Sequence, residues 1–597
     1  MRNAETVLGV IHERGKRGLP LEDLYRQLYN PNLYLLAYGR IYRNAGAMTP
    51  GATKETADGM SLVKIDTIID ALRHEKYRWT PVRRIYIKKK NSKKKRPLGI
   101  PTWSDKLLQE VIRLMLEAYY EPQFSLTSHG FRPQHGCHTA LQEIHHKWVG
   151  TKWFIEGDIA QCFDRLDHQV LLSILRERIH DNRFIRLIDY LLRTGYLEDW
   201  RYNATLSGSP QGAVLSPILS NIYLDKLDKF VEQEILPRYT RGDRRRTNPA
   251  WRQLQQQAKR LEKAGDCTEA RRLRQQMQQY PSLDPADPGY RRLRYVRYAD
   301  DMLLGLIGPR EEAEIIKHEI GKFLRDRLKL ELSETKTLIT HARTEAARFL
   351  GYDIEVLNND RKLDRRGHRC INGQIGLKVP IEVIKAKCDR YLRHGKPIHR
   401  PELIHDSVFS IVGQYQQMYR GVVGYYRMAF NLHRINRLKW LMERSLTQTL
   451  ALKERVSVRA IYRRYQARIK TEKGQTSVLQ VMVNRHAGQR PLVARWGGIS
   501  LSRINRAVLN DAPLRIYGSR TELEQRLLAN QCELCGSTGN IQVHHVRALR
   551  DLHIKGRAEK PFWVQIMAAR KRKTLVVCRS CHHAIHAGQF PRPEVRT

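Results

Sequence analysis

At 597 residues the chain is longer than one hydrophobic core usually serves, so about three to five modules are expected. Its 41% hydrophobic and 28% charged residues exclude a disordered or fibrous protein. With 106 Lys+Arg against 61 Asp+Glu, a formal charge of +45, it calls for a polyanionic partner such as a nucleic-acid backbone.

Residues 1–80 read as helices and loops, with a turn at Thr49-Pro50-Gly51. Glu5 and Glu13 interrupt the start, which has no long apolar run, so it is not a secretory signal. No apolar stretch is long enough to cross a bilayer, and no membrane partner is expected. Residues 84–87 and 96–100 read as two strands around a basic turn, 88–95. Over 104–120, Leu107, Val111, Leu114 and Met115 fall on one helical face. A short apolar strand at 153–159 carries Asp158, and 168–193 is helical. Between Phe230 and Tyr290 the chain turns to Gln, Arg and Glu, which predicts a solvated, mobile helical insertion at about 231–292. The segment 294–307 reads as a strand pair with Ala299-Asp300-Asp301 at its turn. Helices rich in Tyr, Arg and Leu follow at 405–450, then a strongly basic stretch at 452–525. Four of the nine cysteines form two Cys-x-x-Cys pairs, Cys532/Cys535 and Cys578/Cys581. That is the pattern of a tetrahedral zinc site in a reducing compartment, not of a disulfide framework.

Three carboxylates stand at strand ends: Asp158, Asp300 and Asp301. Clustered acids pay for desolvation and mutual repulsion, which divalent cations offset. Two such ions about 4 Å apart activate a 3′-hydroxyl and stabilise a leaving pyrophosphate. Taken alone, an Asp-Asp pair is usually a solvated turn.

Here the pair lies within an ordered series. The series runs Arg96-Pro97-Leu98-Gly99-Ile100-Pro101, Ser128-His129-Gly130-Phe131-Arg132, Gly157-Asp158-Ile159, Ser209-Pro210-Gln211-Gly212, Tyr298-Ala299-Asp300-Asp301 and Phe349-Leu350-Gly351-Tyr352. It resembles the reverse transcriptase fingers and palm. The resemblance implies that Asp158, Asp300 and Asp301 hold two Mg2+ and are catalytic. It implies that Phe163 abuts the sugar of the incoming nucleotide and excludes a 2′-hydroxyl. Arg96, with Lys89 or Lys90, would bind the triphosphate, Gln211 would touch nucleotide and template, and Lys336 would lie near the palm floor.

The segment from Asn44 through Thr49-Pro50-Gly51 to Asp58-Gly59 resembles the N-terminal extension of group II intron reverse transcriptases. Tyr419-Arg420-Gly421, Gly424-Tyr425-Tyr426 and Leu438-Lys439-Trp440-Leu441 resemble their thumb, or maturase domain. Interleaved aromatic and basic residues suit a surface that stacks on bases and neutralises phosphates. At the C-terminus, His544-His545 and Cys581-His582-His583-Ala584-Ile585-His586 resemble the HNH, or ββα-metal, nucleases. His582 and His586 face the same side of a helix. The resemblance makes His544, His582 and His586 ligands of one Mg2+ or Mn2+, and His545 the general base. Cys532, Cys535, Cys578 and Cys581 would hold a structural Zn2+. Gln542 stands where many members carry an acid, which predicts weakened metal binding or phosphate positioning.

The resulting expectation is a multidomain α+β chain built on a right-hand polymerase. Its parts are an N-terminal extension (1–80), fingers and palm with an antiparallel sheet (81–360), a helical thumb/maturase domain (361–452), a basic DNA-binding region (453–525) and an HNH domain (526–597). Arg503, Arg506 and Arg515 are read as target-DNA contacts. The expected activity is RNA-directed DNA synthesis that supports splicing and target-primed mobility of a group II intron, with HNH nicking of DNA. Partners are the intron RNA, double-stranded target DNA and deoxynucleoside triphosphates. The expected location is a ribonucleoprotein of the bacterial cytoplasm or an organelle. Two other readings, a splicing cofactor with a decayed polymerase and a retron or repair-type reverse transcriptase, conflict with the intact aspartates and with the maturase and nuclease segments respectively.

Overall fold

The computed structural model describes residues 2–44, 46–88, 95–198, 201–203, 208, 213–365, 370–471, 474–484, 490–509, 522–552, 561–570 and 572–589. Lys89, Lys90, Gln211 and Arg515 lie outside the described residues. No described helix is long and apolar enough to cross a membrane.

A five-stranded sheet sits at the centre. Its order is Ser128–His129, Arg292–Tyr298, Asp301–Ile307, Trp153–Asp158 and Ile339–His341, and only the first pair is parallel. Phe154, Ile155, Leu303 and Leu304 are all buried, because one face packs on the core of helices such as Trp103–Tyr120 and the other on the core that includes Val408–Tyr425 and Asn436–Glu454. Such two-sided burial explains why these strands read as near-continuous apolar runs rather than alternating ones. A second sheet begins with the expected basic hairpin, Val82–Lys88 against Lys95–Ile100. The helix Trp103–Tyr120 starts at Thr102, whose hydroxyl accepts from the Asp105 amide, and its apolar face is buried.

Two expectations changed in detail. The helical stretch at 168–193 is two helices, His168–Arg176 and Asn182–Arg193, because Asp181 caps the second through the amides of Arg183 and Phe184. The insertion begins later than 231. The helix Ser216–Phe230 runs on through a π-turn, Val231–Ile235, whose Val231 and Ile235 are fully buried. Beyond it, Pro249–Lys263 and Cys267–Met277 pack as a helical hairpin in which only Ala258 and Ala270 are buried.

The helices Val408–Tyr425 and Asn436–Glu454 pack with the sheet Gln466–Thr471, Gly474–Val483 and Leu492–Trp496. Trp496, 1% exposed, packs on Tyr415 and Tyr419, so this core runs past residue 452. At the C-terminal end, Ile541–His545 pairs antiparallel with Thr574–Cys578, and the helix Arg579–His586 follows directly. This unit shares its core with the N-terminal helices Ala4–Lys16 and Pro31–Ile41.

Candidate functional site

The strand register builds the carboxylate cluster. Trp153–Asp158 runs antiparallel to Asp301–Ile307 with Asp158 opposite Asp301, and Asp300 lies in the two-residue turn before it. Gly157 is required in this register, since a Cβ there would stand 2.6 Å from Met302 Cγ. Ala299 takes a left-handed conformation (φ 54°) that a non-glycine residue adopts only when held. Its amide donates to the His129 carbonyl (3.0 Å), and its own carbonyl accepts from Arg297 Nη1 (2.7 Å). Arg297 is fully buried and gives Nε and Nη2 to Asp228 at 2.7 and 2.6 Å. The Ser128-His129 and Tyr298-Ala299 motifs therefore set one turn together.

Charge is concentrated at this turn. Burial pushes the Asp301 carboxyl up to about 7, helped by repulsion from Asp300 and Asp158. Burial and Asp158 also raise Asp300, against the pull of Arg96 and Lys336. Lys336 Nζ lies 2.8 Å from Asp158 Oδ2, so it belongs to the carboxylate cluster. Arg96 is exposed on its hairpin and acts electrostatically on Asp300. Phe163 is half-buried rather than in the apolar core, and its ring meets Phe131 edge to face at 6.4 Å. Phe131, 55% exposed, is a second aromatic wall that the motif contained but that had been assigned no role.

In the helices between 408 and 454, Tyr415 and Tyr419 are fully buried and Tyr426 nearly so, so these rings pack the core, while Tyr425 is half-buried. The aromatic available to a base is Trp440, 53% exposed, with the Arg444 guanidinium 5.7 Å from its ring centre. Arg503 is half-buried: it donates to His145 Nε2 (2.8 Å) and stacks on Phe430 at 3.4 Å, which anchors the segment after Trp496, whereas Arg506 is exposed.

Among the described residues, two groups bring potential ligand atoms within 4.8 Å of one another. In the first, Cys532, Cys535, Cys578 and Cys581 converge as reduced thiols. Cys535 Sγ and Cys578 Sγ are 3.7 Å apart. A tetrahedral ion with bonds of about 2.3 Å needs sulfurs about 3.8 Å apart. The four thiols thus fit zinc. The second group contains His544, His582 and His586, with the Nε2 atoms of His582 and His586 3.2 Å apart. Its fourth member is Asp58, from the segment before the helix Leu62–Arg73, which the sequence reading had not placed here. Nothing in the spacing signals it, because Asp58 and His545 are 487 positions apart. Gln542 is not idle: its Oε1 lies 2.8 Å from His582 Nδ1 and accepts that proton, leaving Nε2 to face the cluster. His545 is buried, and its Nε2 meets the Tyr38 hydroxyl at 2.7 Å. Burial outweighs the attraction of Asp58 and lowers its pKa to about 4, so the imidazole is neutral at pH 7.

Comparison with known proteins agrees with this geometry. Residues 87–354 match the reverse transcriptase (RNA-dependent DNA polymerase) family, 372–484 match type II intron maturase, and 532–582 match the AI2M/AI1M-like HNH endonuclease. The chain is 39% identical over 588 residues to the group II intron-encoded protein LtrA of Lactococcus lactis subsp. cremoris, spanning 94% of this chain and 95% of that one. It is 35% identical over 590 residues to an uncharacterized 91 kDa protein in the cob intron of Schizosaccharomyces pombe (95% of this chain, 70% of that one). It is 30% identical over 600 residues to a putative COX1/OXI3 intron 1 protein of Saccharomyces cerevisiae (95% and 69%).

Proposed function

The chain belongs to the group II intron-encoded proteins, as a reverse transcriptase and maturase with an HNH endonuclease domain, and from that premise we propose how its residues divide the work. The observation that carries the reading is the register that sets Asp158 opposite Asp301 with Asp300 in the adjoining turn.

In this reading Asp158, Asp300 and Asp301 hold two Mg2+ at the palm of a right-hand polymerase. When bound, the ions supply the positive charge that an attacking 3′-hydroxyl and a departing pyrophosphate need. Burial of these acids, with their mutual repulsion added, raises Asp301 to about 7, a cost that such ions offset. Arg96, with Lys89 or Lys90, grips the triphosphate, and Gln211 positions nucleotide and template. Phe163, backed by Phe131, leaves no room for a ribose 2′-hydroxyl. Lys336 holds Asp158 in place until substrate arrives.

Residues 361–452 act as the thumb and maturase surface, with Trp440 and Arg444 available for stacking and phosphate contact on the intron RNA. The exposed arginines between 453 and 525 meet target DNA. The unit from 526 onward is a ββα-metal nuclease in which His545, neutral at pH 7, takes the proton of the attacking water. The four cysteines hold a structural Zn2+. The protein works as a ribonucleoprotein with its intron RNA, in the bacterial cytoplasm or an equally reducing organelle. It copies RNA from the 3′-end made by nicking double-stranded DNA.

The test is the purified chain mixed with its intron RNA. Primer extension on an RNA template should require Mg2+, and the same preparation should speed splicing at a Mg2+ level where the RNA alone is slow. Mg2+-independent extension would overturn the palm assignment, and unassisted splicing the maturase assignment.

A further inference from the structure

The C-terminal nuclease is not self-contained. Residues 58–60 lie along the open edge of its strand Ile541–His545, whose other edge pairs with Thr574–Cys578. The Gly59 amide donates to the Val543 carbonyl (3.0 Å), and the Val543 amide donates to the Met60 carbonyl (2.8 Å). This added strand delivers Asp58 into the histidine cluster, where its Oδ1 also accepts from the His545 amide at 2.7 Å.

From there the carboxylate meets every histidine that the motif assigns to the metal. Oδ1 is 3.4 Å from His544 Nδ1 and 3.2 Å from His582 Nε2, and Oδ2 is 2.8 Å from His586 Nε2. Adjacent ligand atoms around an octahedral Mg2+ or Mn2+ with bonds of about 2.0–2.2 Å stand about 2.8–3.1 Å apart. The spacing of the four side chains already approximates that frame. His544 gives a second sign. It is 5% exposed, its Nε2 makes no hydrogen bond, and its Nδ1 faces the Asp58 carboxylate at 3.4 Å without good hydrogen-bond geometry. A buried imidazole without a hydrogen-bond partner is costly in an apolar setting and natural at a metal. The Gln542 amide fixes the tautomer of His582 but carries no charge, so Asp58 is the one negative ligand of the set. His586, with 55% of its side chain exposed, leaves the centre open on one side.

We propose that Asp58 is the fourth protein ligand of the nuclease's divalent cation, so that the endonuclease centre is complete only when the C-terminal domain is seated on the N-terminal segment. The inference rests on the reading of His544, His582 and His586 as metal ligands. It accounts for Gln542, because the acid absent from the nuclease strand is supplied across the domain contact. It also ties the nuclease to the segment that leads into the polymerase fingers, so that displacing that segment switches nicking off.

The alternative is that the N-terminal segment is a lid over a complete three-histidine site. The two readings predict opposite signs. The test uses the full chain with Asp158→Ala, Asp300→Ala and Asp301→Ala, which removes the three polymerase carboxylates, and follows Mn2+ binding by electron paramagnetic resonance. Asp58→Asn preserves shape and the bond from the His545 amide. It should weaken Mn2+ binding at this site by at least about 10-fold. His582→Ala should do the same, and the double variant should lose little more than either single one. Equal melting temperatures in EDTA establish that each variant is folded. Nicking of labelled target DNA by the ribonucleoprotein should fall in parallel. If His582→Ala weakens Mn2+ binding and Asp58→Asn does not, the inference fails and the three-histidine site stands. If Asp58→Asn leaves Mn2+ affinity unchanged and raises nicking, the segment is a lid. If His582→Ala has no effect on Mn2+ binding, the underlying metal reading is wrong.

Discussion

Asp228→Ala tests whether the Arg297 bridge supports the catalytic turn. Both side chains are 0% exposed, and Asp228 accepts from Arg297 Nε and Nη2 and from the Tyr295 hydroxyl at 2.8 Å. Removing the acid strands a guanidinium that burial cannot neutralise, a cost of about 3–5 kcal/mol. For a unit of 150–250 residues each kcal/mol lowers the melting temperature by roughly 2–4 °C, so a drop of about 10 °C is expected. In a multidomain chain the polymerase is best isolated by residual primer extension after stepped heating. Because Arg297 also donates to the Ala299 carbonyl, the variant should lose extension rate even before it melts. The double replacement Arg297→Met with Asp228→Leu should recover most of the stability, since no charge is left buried alone. It should not recover the rate, because the bond to Ala299 is gone. A single variant that melts within about 1 °C of the parent would refute the reasoning.

Phe163→Ala should raise ribonucleotide incorporation in primer extension, and unchanged sugar selectivity would reduce the ring to a packing partner of Phe131. His545→Ala should eliminate nicking of target DNA while complementary-DNA synthesis continues, and an undiminished nicking rate would place the base elsewhere. Cys532→Ser should release the bound zinc, read by a metallochromic dye as about one ion per parent chain. A parent chain with no zinc would refute the four-thiol site.

The meeting of Asp158 with Asp300 and Asp301 was legible because its signals are local. The apolar run before Asp158, the turn at Ala299-Asp300 and the basic hairpin each announce a strand end within a few residues, and the order of the motifs joins them. The register that apposes Asp158 and Asp301 then follows from burying both strands on both faces. The nuclease histidines were legible for the same reason, a helix placing His582 and His586 on one side. Asp58 was not, since an edge strand added from 487 positions away leaves no periodic trace. The sheet Gln466–Trp496 was masked by composition. Exposed side chains alternate with half-buried ones in Gln466–Thr471, but the charge total reads as a solvated stretch. The stacking of Arg503 and the burial of Tyr415 and Tyr419 leave no mark in the sequence, because a stacked guanidinium and a buried phenol use the same residue types as an RNA surface.

The most direct measurement is primer extension by the chain carrying Asp300→Asn and Asp301→Asn, paired with intron RNA binding by the same preparation. These substitutions keep shape and remove the charge that binds cations. Extension should fall to background while RNA affinity and splicing assistance stay at the parent level. Extension at more than about a tenth of the parent rate would show that the chemistry lies elsewhere.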